Sequence, residues 1–528
     1  MESSAPLPLL PTRAALRRWC GERRRAGQAI HFVPTMGALH AGHQELIRRA
    51  SQGTGGGSAA VLVSVFVNPL QFGPGEDFAR YPRDPGRDAA LAAEAGADAL
   101  FLPSVEEIYP WGEEGLTRVR PPQDLQAGLC GRHRPGHFDG VATVVVRLLS
   151  LIRPDRLLLG EKDWQQLVIL RRVARDLGLP VVVEGCSTVR EADGLAFSSR
   201  NRYLDAPQRR RAALVPQALA AAAALHGRGE REAAVLERAV RQPLEQAGLD
   251  VEYVELVGAH SLAPLPRAEG LTLLATAVHC GPSRLIDHTF LMSRLPIVAI
   301  DGPAGAGKST VTRAFAERLW LLYLDTGAMY RAVTWWVQQE GVDPADAEAV
   351  EPLLENLDLQ LEVAAEGGQR VRIQGHDVTE AIRSPAVTGQ VSLVAAHPCV
   401  RQALTRQQQA LGERGGLVAE GRDIGTAVFP GADLKVFLTA TPAERARRRA
   451  LDLEQRGFPV PPLAELETQI RERDDQDSSR AVAPLRQADD AVELITDGLP
   501  IEAVIQRLID LFRQRVPEDA WPAPAMRP

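Results

Sequence analysis

The 528-residue chain has few cysteines, few aromatic residues and no long apolar run. Its five cysteines are scattered without a CxxC pair, which argues against a disulfide framework or a zinc site and fits a reducing cytosol. The longest alanine-rich apolar stretch, residues 212–225, is interrupted by Pro216 and Gln217 and is too short to span a bilayer of about 30 Å. The amino end lacks the basic start and apolar core of a signal peptide. We therefore expect a soluble, cytoplasmic protein with no membrane partner.

The chain also has no excess of basic residues. Lysine and arginine number 60 against 67 aspartates and glutamates, which gives a formal charge of −7. Nucleic acids and anionic membranes are bound through a broad excess of positive charge, so neither is an expected partner. The composition is that of a globular protein, with 45% hydrophobic and 24% charged residues. Because one hydrophobic core stops growing at roughly 250–300 residues, two or more domains are expected.

Two apolar runs each lead into a turn and then into a helical pattern. The first run, residues 29–33, turns at residues 34–37, and the second, residues 296–300, turns at residues 301–303. A strand, a tight turn and a helix form the opening unit of a doubly wound parallel sheet, whose ligands bind at the carboxyl ends of the strands. The sequence therefore predicts two α/β domains, one for each opening unit.

Further buried strands are predicted at residues 61–67, 157–159, 181–183 and 271–278, the last of which is predicted to close the first domain. The joint between the domains is predicted near residues 287–295, which gives domains of residues 1–290 and 291–528. The proline-bearing tail from Pro517 is predicted to be frayed.

Polar strings that suit nucleotide chemistry follow several of these runs. Residues 40–43 (HAGH) place two imidazoles and a glycine at a helix start, where a phosphate can approach the backbone and accept hydrogen bonds. Residues 67–72 (VNPLQF) offer two amides, residues 160–166 (GEKDWQQ) a lysine, and residues 198–201 (SSRN) hydroxyls and a guanidinium. The HAGH string alone is more typical of a structural or metal-related histidine pair. Each of the other strings alone is more typical of a solvated loop or a capped helix. Their joint occurrence at strand ends favours a nucleotide site.

These strings, with residues 34–43 (PTMGALHAGH), 134–141 (RPGHFDGV) and 193–201 (DGLAFSSRN), occur in the order found in the pantothenate synthetases, or pantoate–β-alanine ligases. Residues 1–290 thus resemble that family. The resemblance implies an HxGH-type, Rossmann-like nucleotidyltransferase fold with a small C-terminal subdomain. It also implies that ATP adenylates pantoate with release of pyrophosphate, and that β-alanine then displaces AMP to give pantothenate.

By this resemblance His40, His43 and Lys162 are the catalytic residues. Gln71 binds pantoate and β-alanine, and Gln166 binds pantoate. His43 is the acid that the family assigns, although a hydrogen-bonding imidazole neutralises the growing phosphate charge whichever way the proton goes. The implied ATP site comprises Met36, Gly37, Ala38, Leu39, His40, Ala41, Gly42, His43, Gly160, Glu161, Lys162, Asp163, Val189, Phe197, Ser198, Ser199 and Arg200.

A second phosphate-binding motif, GxxxxGKS, spans residues 302–309 directly after an apolar run. In this context it indicates a nucleoside triphosphate site, because small residues let backbone N–H groups surround the phosphates. Lys308 neutralises their charge and is a catalytic candidate, and Ser309 can bind Mg²⁺. No apolar run ending in Asp, as in motor ATPases, stands out. The expected ATP-binding residues are Gly302, Pro303, Ala304, Gly305, Ala306, Gly307, Lys308, Ser309 and Thr310.

Residues 295–515 resemble the bacterial-type cytidylate kinases. The strings DGPAGAGKST, LDTGAMYR, GRDIGT, RERDDQDSSR and APL appear in the order of that family, with an inserted β-rich stretch at residues 357–378. The resemblance implies a P-loop nucleoside monophosphate kinase that transfers the γ-phosphate of ATP to CMP or dCMP. It further implies a CMP pocket and a water-excluding lid. The pocket comprises Thr326, Arg331, Ser392, Arg401, Arg422, Asp423 and Arg480, and the lid carries Arg473, Asp477 and Arg480.

Together the two halves predict a bifunctional enzyme whose activities share ATP and Mg²⁺ but no intermediate. Two other interpretations stay open at this point. One is a dinucleotide-forming nucleotidyltransferase joined to an adenylate or shikimate-type kinase. The other is a nucleotide-sensing protein with decayed sites, against which the histidines, lysines and arginines are all present together. The sequence leaves open the preference for CMP over UMP and the oligomeric state, including a homo-oligomer formed through the synthetase domain.

Overall fold

Two parallel sheets with flanking helices organise the computed structural model, which describes residues 6–53, 59–73, 76–112, 114–363, 369–455, 457–480 and 482–522. The chain divides into two units by its internal contacts. Unit 1 runs to Ser293 and also includes Val516–Pro522, and unit 2 comprises Arg294–Arg515. Each unit has its own hydrophobic core.

Unit 1 contains nine strands among its described residues. They are β1 (Leu9–Leu10), β2 (Ala29–Thr35), β3 (Ala59–Val65), β4 (Ala99–Phe101), β5 (Arg156–Gly160), β6 (Val182–Cys186), β7 (Asp250–Gly258), β8 (Leu271–Cys280) and β9 (Ser283–Met292). The first six form a parallel sheet in the order β1–β4–β3–β2–β5–β6. The central strands β2 and β3 are apolar and almost wholly buried, as expected of a parallel sheet covered on both faces.

The helices of unit 1 follow these strands and bring polar loops to one edge of the sheet. They are α1 (Arg13–Arg25), α2 (Ala41–Ser51), α3 (Pro85–Glu94), α4 (Val105–Ile108), α5 (Leu129–His133), α6 (His137–Ile152), α7 (Trp164–Asp176), α8 (Ala206–Ala212), α9 (Leu214–Gly227) and α10 (Ala233–Gln246). Helices α8 to α10 pack with the antiparallel sheet β7–β8–β9 around a separate apolar cluster, which forms the small C-terminal subdomain of this unit.

Unit 2 is built on a five-stranded parallel sheet. The strands of the unit are β10 (Ile297–Asp301), β11 (Leu322–Asp325), β12 (Leu359–Val363), β13 (Gln369–Ile373), β14 (His376–Asp377), β15 (Leu417–Gly421), β16 (Leu434–Thr439) and β17 (Val492–Ile495). The parallel sheet has the order β11–β15–β10–β16–β17. The predicted β-rich insertion is the antiparallel sheet β12–β13–β14.

The helices of unit 2 include the two elements that carry its motifs, α11 after the GxxxxGKS turn and α17 in the predicted lid. The helices of the unit among the described residues are α11 (Lys308–Leu319), α12 (Thr326–Gln339), α13 (Ala347–Val350), α14 (Pro385–Val394), α15 (Pro398–Gly412), α16 (Pro442–Gln455), α17 (Leu463–Ser478) and α18 (Ile501–Arg515). Among the described residues no helix is both long and apolar enough to cross a membrane. The predicted α/β class with parallel sheets is confirmed.

Two expectations about the chain ends of the units were wrong. Strand β8 does not close unit 1, because the chain turns at Gly281 and returns as β9. The boundary between the units, after Ser293, lies within the predicted joint of residues 287–295. The tail is not frayed where it is described. Val516, Glu518 and Trp521 are buried, and polar groups of unit 1 bind the acidic pair between them. Residues 523–528 lie outside the described residues.

Candidate functional sites

A cavity of about 280 Å³ lies where strands β2, β3, β5 and β6 end. The carboxyl ends of parallel strands meet at one edge of a sheet, so strings far apart in the sequence converge there. Of the residues predicted for this site, the cavity is lined by Met36, His40, Gly42, His43, Gln71, Gly160, Lys162, Asp163, Gln166, Val189, Phe197, Ser198, Ser199 and Arg200.

The histidine pair lies at the amino end of α2. His40 is the N-cap residue, and its Nδ1 accepts a hydrogen bond from the backbone N–H of Gly42 at 3.2 Å. The rings of His40 and His43 are 4.0 Å apart between centroids, and Phe197 stacks on His40 at 5.8 Å. The two imidazoles therefore face the cavity from a helix N-terminus, where anions are favoured.

Both imidazoles are neutral at neutral pH. Burial and, to a smaller extent, the nearby cations Lys162 and Arg202 together lower the pKa of His40 to about 4. Burial also lowers the pKa of His43 to about 3, with a smaller contribution from His40. Because the Nδ1 of His40 accepts a bond, its proton is on Nε2. The Nδ1 of His43 is buried and has no hydrogen-bond partner among the described residues. Each ring can thus act as a neutral hydrogen-bond donor.

The predicted amide strings line another side of the cavity. Asn68 donates to Oε1 of Gln71 at 3.1 Å, and the hydroxyl of Tyr109 donates to Asn68 at 2.8 Å. The Nδ1 of His137, in the RPGH string, lies 2.8 Å from the backbone carbonyl of Gln71. Asn68 therefore holds the side-chain oxygen of Gln71 and His137 holds its backbone, while Gln166 lines the same cavity from α7.

Five residues predicted for the ATP site of unit 1 do not line this cavity. They are Gly37, Ala38, Leu39, Ala41 and Glu161. Gly37, Ala38 and Leu39 form the turn behind it: the carboxylate of Asp88, on α3, accepts the backbone N–H groups of Ala38 at 3.1 Å and Leu39 at 2.8 Å. Gly37 has φ +85°, and a Cβ there would lie 2.8 Å from Asp88, so the turn requires glycine. The side chain of Glu161 points away from the cavity and binds the tail.

In unit 2 a second cavity, of about 230 Å³, lies beside the GxxxxGKS turn. Lys308 is buried and its ammonium donates to the carbonyls of Gly302 at 2.8 Å and Pro303 at 2.9 Å. A Cβ at Gly302 would lie 2.0 Å from the carbonyl oxygen of Leu438, so this close approach requires glycine. Asp301 accepts the N–H groups of Ile424 and Gly425, which fixes the GRDIGT string beside the phosphate loop.

An arginine cluster surrounds the same cavity. Its members are Arg331, Arg401, Arg422, Arg473 and Arg480. Arg401 forms a buried ion pair with Asp423 at 2.8 Å, and Asp477 lies 3.1 Å from both Arg422 and Arg480. The Nε of Arg473 has no hydrogen-bond partner among the described residues. Burial lowers the pKa of Arg473, and Arg422 lowers it further. Guanidinium groups outnumber carboxylates here, which favours a strongly anionic ligand.

Most of the residues predicted for unit 2 converge on this cavity. Every predicted CMP and lid residue lines it, and so do Ala304, Gly305, Ala306, Lys308 and Ser309 of the loop. Gly302, Pro303, Gly307 and Thr310 do not line it. The first two act through their carbonyls on Lys308.

A family model of pantoate-beta-alanine ligases matches residues 9–290, and a model of cytidylate kinases matches residues 298–514. A bifunctional pantoate ligase/cytidylate kinase of Prochlorococcus marinus (strain MIT 9313) is 66% identical over 95% of this chain and 98% of its own. The bifunctional pantoate ligase/cytidylate kinase of Parasynechococcus marenigrum (strain WH8102) is 64% identical over 94% of this chain and 97% of its own. This chain belongs to the bifunctional pantoate ligase/cytidylate kinase family.

Unit 1 is accordingly called the ligase unit and unit 2 the kinase unit. Among solved structures, a crystal structure of the pantothenate synthetase of Thermus thermophilus is 45% identical, covers 53% of this chain and 98% of that chain, and has a TM-score of 0.49.

Sequence reasoning missed one acidic residue of the kinase unit, Glu420. It ends the buried strand β15, and its Oε1 accepts hydrogen bonds from Ser309 at 2.6 Å and from the hydroxyl of Tyr323 at 2.9 Å. In the sequence the apolar run of residues 417–419 is followed by this glutamate, whereas the pattern of the motor ATPases ends in Asp. Burial raises the pKa of Glu420.

The ligase unit likewise contains a residue that the sequence did not reveal, Asp88. It lies about 50 residues after the turn that it holds and belongs to no recognised string. Its hydrogen bonds to Ala38 and Leu39 became visible only in the folded structure.

Proposed function

We propose that the ligase unit joins pantoate to β-alanine through a pantoyl adenylate, and that the kinase unit phosphorylates CMP or dCMP. The proposal for the ligase unit is carried by one observation. The paired imidazoles, the cations Lys162 and Arg200, and the amides Gln71 and Gln166 line a single cavity. Such a cavity offers donors for a triphosphate on one side and for a small hydroxy acid on the other.

In the first step a carboxylate oxygen of pantoate attacks the α-phosphorus of ATP, and the bond from that phosphorus to the pyrophosphate oxygen breaks. Negative charge grows on the phosphate oxygens, where the neutral imidazoles of His40 and His43 donate hydrogen bonds. Lys162 and Arg200 hold the departing pyrophosphate. In the second step the amine of β-alanine attacks the acyl carbon, AMP leaves, and the amine loses a proton to give the amide.

In the kinase unit a phosphate oxygen of CMP attacks the γ-phosphorus of ATP, and ADP leaves. Both reactants are anions, so their approach needs cations between them. Lys308 serves the donor, and the arginine cluster serves the acceptor and the transferred group. Asp423, which is held by Arg401, is proposed to accept a hydrogen bond from a sugar hydroxyl. One hydroxyl is enough for that bond, so dCMP is also an expected acceptor.

The residues near Ser309 fit a Mg²⁺ ion. Mg²⁺ prefers oxygen ligands and is usually held by one or two protein groups together with substrate phosphates. Ser309 offers a hydroxyl, and the buried Oε2 of Glu420 has no hydrogen-bond partner among the described residues. No cluster of three His, Cys, Asp or Glu side chains suited to a metal ion occurs among the described residues, consistent with an ion that arrives with ATP. When bound, Mg²⁺ neutralises phosphate charge.

One coupled assay of the purified chain tests both assignments. AMP release and ADP release are measured separately against pantoate, β-alanine, CMP, dCMP, UMP and AMP as acceptors. We expect sustained AMP release only when pantoate and β-alanine are both present, and ADP release only with CMP or dCMP. AMP release that needs neither acid would contradict the ligase assignment, and ADP release with AMP but not CMP would contradict the kinase assignment.

A further inference from the structure

The segment Val516–Pro522 follows the last helix of the kinase unit but belongs to the ligase unit. Val516 and Trp521 are buried there, with 2% and 5% of their surface exposed, and the backbone N–H of Trp521 donates to the carbonyl of Pro517. Burial of an aliphatic and an aromatic side chain within seven residues anchors the segment by the hydrophobic effect. We call these seven residues the tail segment.

The backbone of the tail segment binds the side chain of Glu161. The N–H groups of Glu518 and Asp519 donate to its two carboxylate oxygens, at 2.8 Å and 2.7 Å. Glu161 is almost fully buried and stands between Gly160 and Lys162, both of which line the ATP cavity. The tail segment therefore binds the predicted ATP loop on the side that faces away from the cavity.

The side chains of the tail segment bind a second loop of the same cavity. Glu518 accepts the backbone N–H of Ser187 at 3.1 Å and both its oxygens accept from the Arg49 guanidinium, at 2.8 Å and 2.9 Å. Asp519 accepts the backbone N–H of Thr188 at 2.9 Å and its hydroxyl at 2.6 Å. Ser187 and Thr188 follow strand β6 and line the cavity beside Val189.

Three carboxylates meet at this point, which is unfavourable unless each is compensated. Burial raises the pKa of Glu161, and Asp519 raises it further. The compensation comes from the N–H groups, the Thr188 hydroxyl and Arg49. Glu518 itself is 3% exposed, and both of its carboxylate oxygens accept hydrogen bonds. A buried carboxylate with these partners indicates a specific contact and not a solvated acidic terminus.

We propose that the tail segment is a positioning element of the ligase's nucleotide site. Through Glu518 and Asp519 it fixes the loop after β5 and the loop after β6 at the separation that ATP requires. Its residues do not line the cavity, so they act through Glu161, Ser187 and Thr188 and not on substrate. The proposal rests on the assignment of this cavity to the ATP of the ligase reaction. If the proposal holds, the ligase unit needs residues that follow the kinase unit in the sequence. This dependence gives one physical reason why the two activities share a chain.

Truncation after Arg515 tests the proposal in the full chain, because it leaves helix α18 of the kinase unit intact. We expect the KM for ATP in the ligase reaction to rise about tenfold or more, with smaller changes in the KM for pantoate and β-alanine. CMP phosphorylation by the same preparation should stay within about twofold. Truncation after Pro522 is the matched control and should change neither activity.

A stability effect is distinguished by the pattern of the constants. Loss of folded ligase lowers the apparent kcat and leaves every KM unchanged, whereas a displaced loop raises the KM for ATP. The double variant Glu518→Ala/Asp519→Ala removes the acceptors but keeps the buried Val516 and Trp521, so it should also raise the KM for ATP. The double variant Glu518→Gln/Asp519→Asn keeps one acceptor oxygen on each side chain and should restore part of the ATP affinity. An unchanged KM for ATP in the truncated chain or, if that chain does not fold, in the double alanine variant overturns the proposal. An intact chain without ligase activity would instead contradict the proposed function.

Discussion

At the scale of single residues, His40 and His43 are proposed to stabilise phosphate charge in the ligase reaction as neutral hydrogen-bond donors. Replacing His43 by Ala removes one hydrogen-bond donor that strengthens as charge grows in the transition state. We expect kcat for pantothenate formation to fall about 10²- to 10³-fold, the usual cost of one such donor. The matched control is His279→Ala, which removes an exposed histidine of β8 that binds Glu252. It should leave kcat within about twofold.

The pH dependence follows from the same pair. A histidine whose pKa is lowered to about 4 or about 3 becomes charged only when the pH falls through that value. Between about pH 5.5 and about pH 8 neither ring titrates, so the ligase rate should show no limb near the ordinary histidine pKa of about 6.5 that depends on this pair. A limb near pH 6.5 that disappears in His40→Gln or His43→Gln would show that a charged imidazole is used.

Glu420 leads to a prediction about the metal requirement of the kinase. Removing the charge in Glu420→Gln weakens the oxygen set around Ser309 without changing its shape. We expect the Mg²⁺ concentration for half-maximal CMP phosphorylation to rise about 10- to 100-fold, as is common for altered partners of a metal site. Glu413→Gln, at an exposed position after α15, is the control. Equal Mg²⁺ dependence in both variants would remove Glu420 from the ion site.

At the scale of elements, helix α17 has two arginines with opposite environments. Arg473 lines the kinase cavity, whereas Arg471 is exposed and pairs with Glu467 on its own helix. Arg473→Ala should lower kcat/KM for CMP about 10²-fold or more, because a desolvated cation is lost from beside the transferred phosphoryl group. Arg471→Ala should change it less than about twofold. A similar loss in both variants would mean that the helix as a whole, and not the half-buried Arg473 guanidinium, is needed.

At the scale of the whole molecule, the two proposed phosphate sites lie in separate cavities, one in each unit. Lys308→Ala removes the buried ammonium of the phosphate loop, and we expect CMP phosphorylation to fall about 10³-fold or more while pantothenate synthesis stays within about twofold. Joint loss of both activities would contradict two independent sites. The circular dichroism spectrum and the melting profile of the variant serve as the check on folding.

The two activities share ATP but exchange no intermediate, so we expect no channelling between them. At saturating ATP the rate of β-alanine consumption should be the same with and without CMP turnover. This is compatible with the proposed tail segment, which supplies a fixed structural contact and no substrate. A faster ligase rate during CMP turnover would contradict it.

The α/β class and most of the residues that line the two cavities could be predicted from the amino-acid sequence. The HAGH and GxxxxGKS strings act over a few neighbouring residues, where backbone N–H groups, a glycine and a charged side chain are brought together by the local turn alone. The strings that follow different parallel strands converge because all those strands end at one edge of a sheet. Topology of this kind can be inferred from the strand pattern.

The groups that lie behind those cavities could be identified only in the folded chain. Asp88 reaches the turn at Ala38 from another helix, and Glu161 meets Asp519 across 358 positions of the chain. No local sequence pattern predicts such pairs, because a carboxylate is also well solvated by water. The partner of each carboxylate depends only on the donors that the fold places around it. For the same reason the tail looked like an ordinary polar terminus in the sequence. In the fold, its burial and its hydrogen bonds make it part of the ligase unit.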